Sequence, residues 1–281
     1  MIISILQKVI PLIFLGVFLS NFLYYSNIIY FLQKKLNNSY VPILSVFFFS
    51  STSGCYLLKN LLEKKEIDKN LILPLYILGM FVFGIHVIIF YIIPVAISLG
   101  YVGLEYIIIR FVVISSYLIV GLILLRKNNV PKIELKPKKF SLKLIFKDTF
   151  KQFFNIIIVF VPSVLIISYL IDLGVFNHFL GDFLDSILPP KAIMISLTGL
   201  ATITGALAVA GSLLEKKVLT NDVALISILL ADFLNRIVLY VRKYLPIHTS
   251  IFGKLGIKLA TIQFLIYELS LLTILVIFLL F

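Results

Sequence analysis

Residues 191–215, KAIMISLTGLATITGALAVAGSLLE, form an apolar run long enough to cross a membrane, interrupted at its middle by Thr198-Gly199, Thr202 and Thr204-Gly205. Ser and Thr compete for backbone hydrogen bonds and Gly weakens a helix interior, so such a cluster marks an unwinding point. Residues 41–63, VPILSVFFFSSTSGCYLLKNLLE, show the same design, with Ser50-Ser51-Thr52-Ser53-Gly54 as the interruption. The two segments are related. Leu61-Leu62-Glu63-Lys64-Lys65 recurs unchanged as Leu213-Leu214-Glu215-Lys216-Lys217, and Pro94 and Ser98 match Pro246 and Ser250 at the same spacing. Pro11 matches Pro162 one residue short of it, while Gly100, Gly103 and Phe111 match Gly253, Gly256 and Phe264 one residue beyond it. Shared order and spacing indicate an internal duplication.

Outward from these segments the whole chain is apolar. Of its 281 residues, 61% are hydrophobic and 14% charged, with a mean hydropathy of +1.12. A soluble domain is about 45–50% apolar and about 25% charged, so an ordinary soluble enzyme is excluded and the class is a polytopic all-α membrane protein. Eight apolar runs are readable, near 2–25, 41–63, 71–97, 103–125, 152–176, 191–215, 222–245 and 257–281. The first has Lys8 within it and no small-residue cleavage site after it, so it is expected to stay in the mature protein. The one cysteine, Cys55, excludes an internal disulfide.

The formal charge of +12 would raise the question of nucleic acid in a soluble protein, but its placement points to the bilayer and no nucleic-acid partner is expected. Arg126, Lys127, Lys132, Lys136, Lys138, Lys139, Lys143, Lys147 and Lys151 crowd one hydrophilic connection, offset only by Glu134 and Asp148. This is the signature of a cytoplasmic loop. Lys143, Lys147 and Lys151 recur every four residues beside Phe140, Leu142, Ile145, Phe146 and Phe150, which predicts a short amphipathic helix on an anionic lipid surface. The chain thus divides into a first repeat, 1–125, a basic linker, 126–151, and a second repeat, 152–281.

The interrupted segments could be ordinary spans whose small residues serve close helix packing. Charge placement decides against that. Eight full crossings would put Lys34, Lys35, Lys191, Arg242, Lys243, Lys254 and Lys258 outside, whereas two re-entrant segments leave only Lys8, Lys191, Lys216 and Lys217 there. The second arrangement obeys the positive-inside rule better. It predicts two inverted repeats, each of three spans, an interfacial stretch (27–38 and 176–187) and a re-entrant hairpin, with the two Ser/Thr/Gly tips near the midplane.

This pattern of span, interfacial helix, proline-entered hairpin with a Ser/Thr/Gly break and two further spans resembles the nucleoside-recognition, or Gate, domain. Related units occur in concentrative nucleoside transporters, ferrous iron permeases and spore maturation proteins, and the nearest likeness is to archaeal membrane proteins carrying this domain. Thr198-Gly199, Thr202, Thr204-Gly205, Leu213–Lys217 and Asn235-Arg236 carry the resemblance, most clearly over 191–260 and more faintly over 41–110. It implies a multi-pass cell-membrane protein that moves a small polar solute, nucleoside-like in some relatives and a divalent cation in others. It also covers assembly partners that transport nothing.

Ionisable groups inside spans are costly and are therefore functional candidates. Asp232, Asn235 and Arg236 share one helix face by their i, i+3, i+4 spacing, and their repeat counterparts Met80, Phe83 and Gly84 are apolar or lack a side chain. They are expected to line a solute site together with Ser51, Thr52, Ser53, Thr202 and Thr204 at the two tips; a self-neutralised Asp232–Arg236 pair is the packing alternative. Arg110 and Glu268 are expected to pair with each other or to relay protons, and His86 to be a satisfied interior histidine. Most of the Tyr and Phe residues read as lipid contacts and interface belts. No phosphate loop, metal-spaced histidine cluster or Ser/His/Asp set is present, the histidines standing apart at 86, 178 and 248. The expectation is a non-enzymatic secondary transporter without cofactor or bound metal centre. Its partners would be the lipid bilayer, an unidentified small-molecule or ion solute and, as an open question, further copies of itself.

Overall fold

In the computed structural model the repeated Leu-Leu-Glu-Lys-Lys motif is a helix stop. Lys65 takes a left-handed φ of 56° and Lys217 one of 54°. The amides of Lys65 and Glu66 donate to the carbonyls of Leu62 and Leu61, and those of Lys217 and Val218 to Leu214 and Leu213. These paired bonds are a Schellman closure, which satisfies carbonyls that a helix end otherwise leaves bare. The most legible repeat in the sequence is therefore backbone punctuation.

The structure describes residues 10–11, 14–15, 17–18, 21–23, 25–28, 30–31, 34, 40–96, 99–127, 140–172 and 188–280. The expected interfacial stretch 176–187 lies outside them, as do Lys132, Lys136, Lys138, Lys139, Asp182 and Asp185, most of 27–38 and much of the first apolar run. Among the described residues all regular structure is helical. The helices are α1 (Val41–Phe49), α2 (Ser51–Glu63), α3 (Lys69–Val87), α4 (Ile93–Ala96), α5 (Tyr101–Lys127), α6 (Leu142–Asp172), α7 (Pro190–Ala201), α8 (Ile203–Glu215), α9 (Asn221–Leu239), α10 (Leu245–Phe252) and α11 (Lys254–Leu280). Four stretches, Lys69–Phe90, Tyr101–Arg126, Asn221–Phe252 and Lys254–Leu280, are long and apolar enough to cross a membrane. This is a helical membrane protein.

Both interrupted segments break, at a single residue each. Ser50 is extended (φ −163°, ψ 124°), and its hydroxyl accepts the Ser53 amide as an N-cap. The run Ser51–Gly54, expected to unwind, is thereby the first turn of α2. Thr202 is likewise extended (φ −166°, ψ 136°), while Thr198-Gly199 and Thr204-Gly205 stay helical. Pro42 and Pro190 stand at the entry of α1 and α7, where a missing amide costs nothing. The arms have 9 and 13 residues in the first half and 12 and 13 in the second, at most about 20 Å each at ~1.5 Å per residue.

Element order then repeats. α3 and α9 each have 19 residues and each runs into a π-helical turn, Ile88–Ile92 or Tyr240–Tyr244. Pro94 and Pro246 follow these turns. A proline cannot donate to the carbonyl four residues back, and a widened turn absorbs the mismatch. Next come Gly100 and Gly253, both at φ 60°, and helices of 27 residues, α5 and α11. A Cβ on Gly103 would lie 1.7 Å from the Ala96 carbonyl oxygen, and one on Gly256 1.9 Å from that of His248. Only glycine permits either close return.

α6 departs from expectation. The amphipathic stretch and the fifth apolar run form one helix of 31 residues, because nothing between Lys147 and Ile156 breaks a helix; no separate short helix ends at 151. Lys143, Lys147 and Lys151 are exposed, as are Leu142, Phe146, Phe150 and Phe154.

The chain divides into two compact units. Unit 1 comprises 1–84, 117–165 and 243–263; unit 2 comprises 85–116, 166–242 and 264–281. In unit 1 the ring of Phe47 fills the space where Cβ atoms of Gly54 and Gly79 would stand. A closed ring of amides also ties it together: Asn21 donates to Gln152 (3.0 Å), Gln152 to Asn60 (3.2 Å) and Asn60 to Asn21 (3.2 Å). Unit 2 packs α7 on α9 through small residues. A Cβ on Gly199 would meet the Ala231 carbonyl oxygen at 2.4 Å, and the Ser196 hydroxyl donates to the Ser227 carbonyl at 3.2 Å.

Candidate functional site

The polar interior of unit 2 is built around Asp232, midway along α9 and 1% exposed. Its Oδ2 accepts from Arg110 Nη1 at 2.7 Å, from the Tyr267 hydroxyl at 2.8 Å and from the Tyr106 hydroxyl at 3.1 Å. Arg110 also donates to the Tyr106 hydroxyl at 2.5 Å. Tyr106 and Arg110 are one turn apart on α5 and so share a face. Tyr267 lies on α11. Three helices thus converge on one carboxylate oxygen.

Arg110 and Asp232 form a buried ion pair, 4% and 1% exposed. The pairing corrects two sequence expectations. Arg110 does not take Glu268, and Asp232 does not neutralise Arg236 one turn along its own helix. Geometry explains the second case: Arg236 is directed onto Tyr267, its guanidinium carbon 4.0 Å from the ring centroid, a cation–π stack. Arg236 is half-buried. Glu268, next along α11, is 6% exposed. Among the described residues neither of its carboxyl oxygens has a hydrogen-bond partner, and the same holds for Asp232 Oδ1.

Asn235 bonds across to α7. Its Nδ2 donates to the Gly199 carbonyl at 2.7 Å, in the last turn of α7, where helix carbonyls lack intrahelical donors. Asn235 therefore caps the first arm of the broken segment from the neighbouring helix. The trio does share one side of α9, but its members do three jobs: Asp232 gathers donors, Asn235 caps and Arg236 stacks.

The tip residues are assigned to different units. Thr202 and Thr204 are in unit 2 and their hydroxyls bond each other at 2.8 Å. Ser51, Thr52 and Ser53 belong to unit 1, where the Ser53 amide donates to Ser50 Oγ at 3.2 Å and Ser53 itself is buried. Tyr106 and Tyr267, among the aromatics read as lipid-facing, are instead 0% and 1% exposed. The i, i+4 spacing of Tyr106 from Arg110 was the available signal.

Unit 1 has a polar interior of its own, gathered around Tyr76 and His248. Gln263, the repeat counterpart of Arg110, accepts from the Tyr76 hydroxyl, and its carbonyl accepts from Tyr117 at 3.0 Å. The Tyr76 hydroxyl also lies 2.8 Å from His248 Nε2, while His248 Nδ1 is 2.6 Å from the Tyr244 carbonyl. Cys55 closes the group, its sulfur 3.7 Å from His248. His86, in unit 2, rests against Phe90 with ring centroids 4.7 Å apart.

No protein-family profile and no solved structure matches the chain. Uncharacterized protein MJ1589 of Methanocaldococcus jannaschii is 49% identical over 240 residues, spanning 83% of this chain and 99% of that protein. Uncharacterized proteins MJ0871 and MJ0880 of the same organism are 28% and 30% identical over 140 and 127 residues, covering 48% and 43% of this chain and 44% and 41% of theirs. By identity and coverage together, the chain belongs to the family of the archaeal protein MJ1589.

Proposed function

We propose that the protein is a multi-pass secondary transporter of a small polar solute in the cell membrane, built from two inverted repeats whose broken segments are re-entrant hairpins. The solute would bind in unit 2, on the face of α9 that carries Asp232 and Arg236, beside the break at Thr202. One observation carries the reading: in helices of membrane-spanning length, two arginines and two carboxylates are gathered in the interior of one unit, and three carboxyl oxygens there lack donors among the described residues. A charge at the centre of a span costs about 2.5–3.5 kcal/mol on insertion scales, so a group of four is an expense that packing alone does not require. The other repeat offers the comparison, since Met80 and Gly84 occupy the positions of Asp232 and Arg236. Broken helices with unpaired termini are also the usual setting of a midplane solute site.

The test is a thermal-shift panel on the purified protein with nucleosides, nucleobases and divalent metals, followed by uptake of any stabilising compound into proteoliposomes. The expected result is a shift with a nucleoside-like solute that Arg236→Gln abolishes, together with uptake. A shift with a divalent metal alone replaces the solute with a cation, and absence of any shift or uptake across the panel makes the protein an assembly partner.

A further inference from the structure

Glu268 stands out among the charged groups of unit 2. It is 6% exposed, and among the described residues neither carboxyl oxygen has a hydrogen-bond partner. Asp232 in the same interior shows what an ionised carboxylate there receives: an arginine and two tyrosine hydroxyls on a single oxygen. An ionised group removed from water without donors carries the full desolvation cost, whereas the neutral acid carries only that of an ordinary polar group. The surrounding charges do not supply what is missing. Arg110 is engaged with Asp232 and Tyr106 on the α5 side. From α9, Arg236 attracts a charge on Glu268 while Asp232 repels it, and Arg236 is stacked on Tyr267, the neighbour of Glu268 on its own helix.

We infer that Glu268 is a proton-binding site in the membrane interior: its carboxyl holds one proton as an O–H bond in this conformation and releases it only when water or a donor reaches it. The occupant that fits is a proton, because a metal ion would need several oxygen ligands beside two guanidinium groups. Where unit 2 carries a solute, which rests on the function proposed above, this site makes the movement proton-coupled.

The primary test needs no solute. Infrared spectra of the purified protein in neutral lipid bilayers at neutral pH should show a carbonyl stretch of a protonated carboxyl, shifted by deuterium and absent from Glu268→Gln. Glutamine has the shape of the neutral acid, so that variant should melt like wild type. No such band, or a band that survives Glu268→Gln and disappears in Asp232→Asn, overturns the assignment. So does stabilisation by sodium at constant ionic strength that Glu268→Gln removes, because it identifies a metal cation as the occupant. Once a transported solute is in hand, Glu268→Gln should lose accumulation driven by a pH gradient while keeping solute exchange; accumulation equal to wild type refutes the coupling. Failure to find any transported solute would defeat the transport reading and leave the spectroscopic result standing, so the two can fail separately.

Discussion

Replacing Arg110 with leucine should be the most destabilising single change in unit 2. The substitution removes the 2.7 Å ion pair and leaves Asp232, 1% exposed, with two hydroxyl donors and no countercharge in contact. It also removes the 2.5 Å bond that orients Tyr106. Breaking a buried pair from one side costs about 3–5 kcal/mol, because the remaining charge is stranded. Asp232→Leu should cost a similar amount by stranding Arg110. The double variant removes both charges and should therefore lose much less than the two single losses combined. The assay follows from the composition: the chain has no tryptophan, but it has one cysteine, which is buried. A thiol-reactive fluorophore then reports unfolding of unit 1 through Cys55, and of unit 2 through a cysteine replacing the buried Ser227 in a Cys55→Ser background. A loss below about 1 kcal/mol for Arg110→Leu, the range of exposed pairs, would refute the buried ion pair. So would additive effects in the double variant.

Asn235→Ala should cost about 1–3 kcal/mol by leaving the buried Gly199 carbonyl without its donor, so apo melting falls before any ligand is added; unchanged melting would mean that Asn235 does not cap α7. Gly199→Ala should cost about 1–3 kcal/mol through overpacking, since its Cβ would stand 2.4 Å from the Ala231 carbonyl oxygen, and a neutral effect would refute that helix contact. Phe47→Ala should cost about 3–5 kcal/mol as a core cavity, measured in the same thiol assay with Gly54 and Gly79 left in place. For topology, cysteines introduced at Lys65 and Lys217 in a Cys55→Ser background should react with a membrane-impermeant reagent from opposite sides; reaction from the same side would replace inverted repeats with parallel ones.

Much of the fold could be read from the chain because its signals are local. Pro42 and Pro190 start arms, Ser50 and Thr202 break them, and the Leu-Leu-Glu-Lys-Lys motifs stop them through backbone bonds reaching three and five residues. Each depends on a few neighbours, so spacing alone locates it. The charged interior was legible as membership and illegible as pairing. Asp232, Arg236, Arg110 and Glu268 were conspicuous as ionisable residues in apolar runs, but which of them meet depends on how α5, α9 and α11 are rotated about their axes. Asp232 chose a partner 122 residues away over the arginine one turn along its own helix. The burial of Tyr106 and Tyr267 was hidden for a related reason, because in a membrane protein an aromatic residue facing lipid and one facing protein have the same hydropathy.

Comparison of the two repeats explains where chemistry could arise. Phe47 and Gly79 in the first half occupy the positions of Gly199 and Ala231 in the second. In unit 1 the large side chain comes from the broken segment and enters a space opened by Gly54 and Gly79. In unit 2 the broken segment contributes no side chain there, and α7 comes close enough to α9 for Asn235 to reach the Gly199 carbonyl. Phe83, the counterpart of Asn235, could make no such bond. An aromatic plug therefore fills this contact in one unit, while close backbone approach makes it in the other. The difference predicts a directional exchange. Gly199→Phe in unit 2 should push α7 away from α9, break the Asn235 cap and disturb the Asp232 group together. Phe47→Gly in unit 1 should open a cavity and leave the unit 2 group intact. If Gly199→Phe left the Arg110–Asp232 coupling energy unchanged in the double-variant cycle, close approach would have no part in building the charged interior.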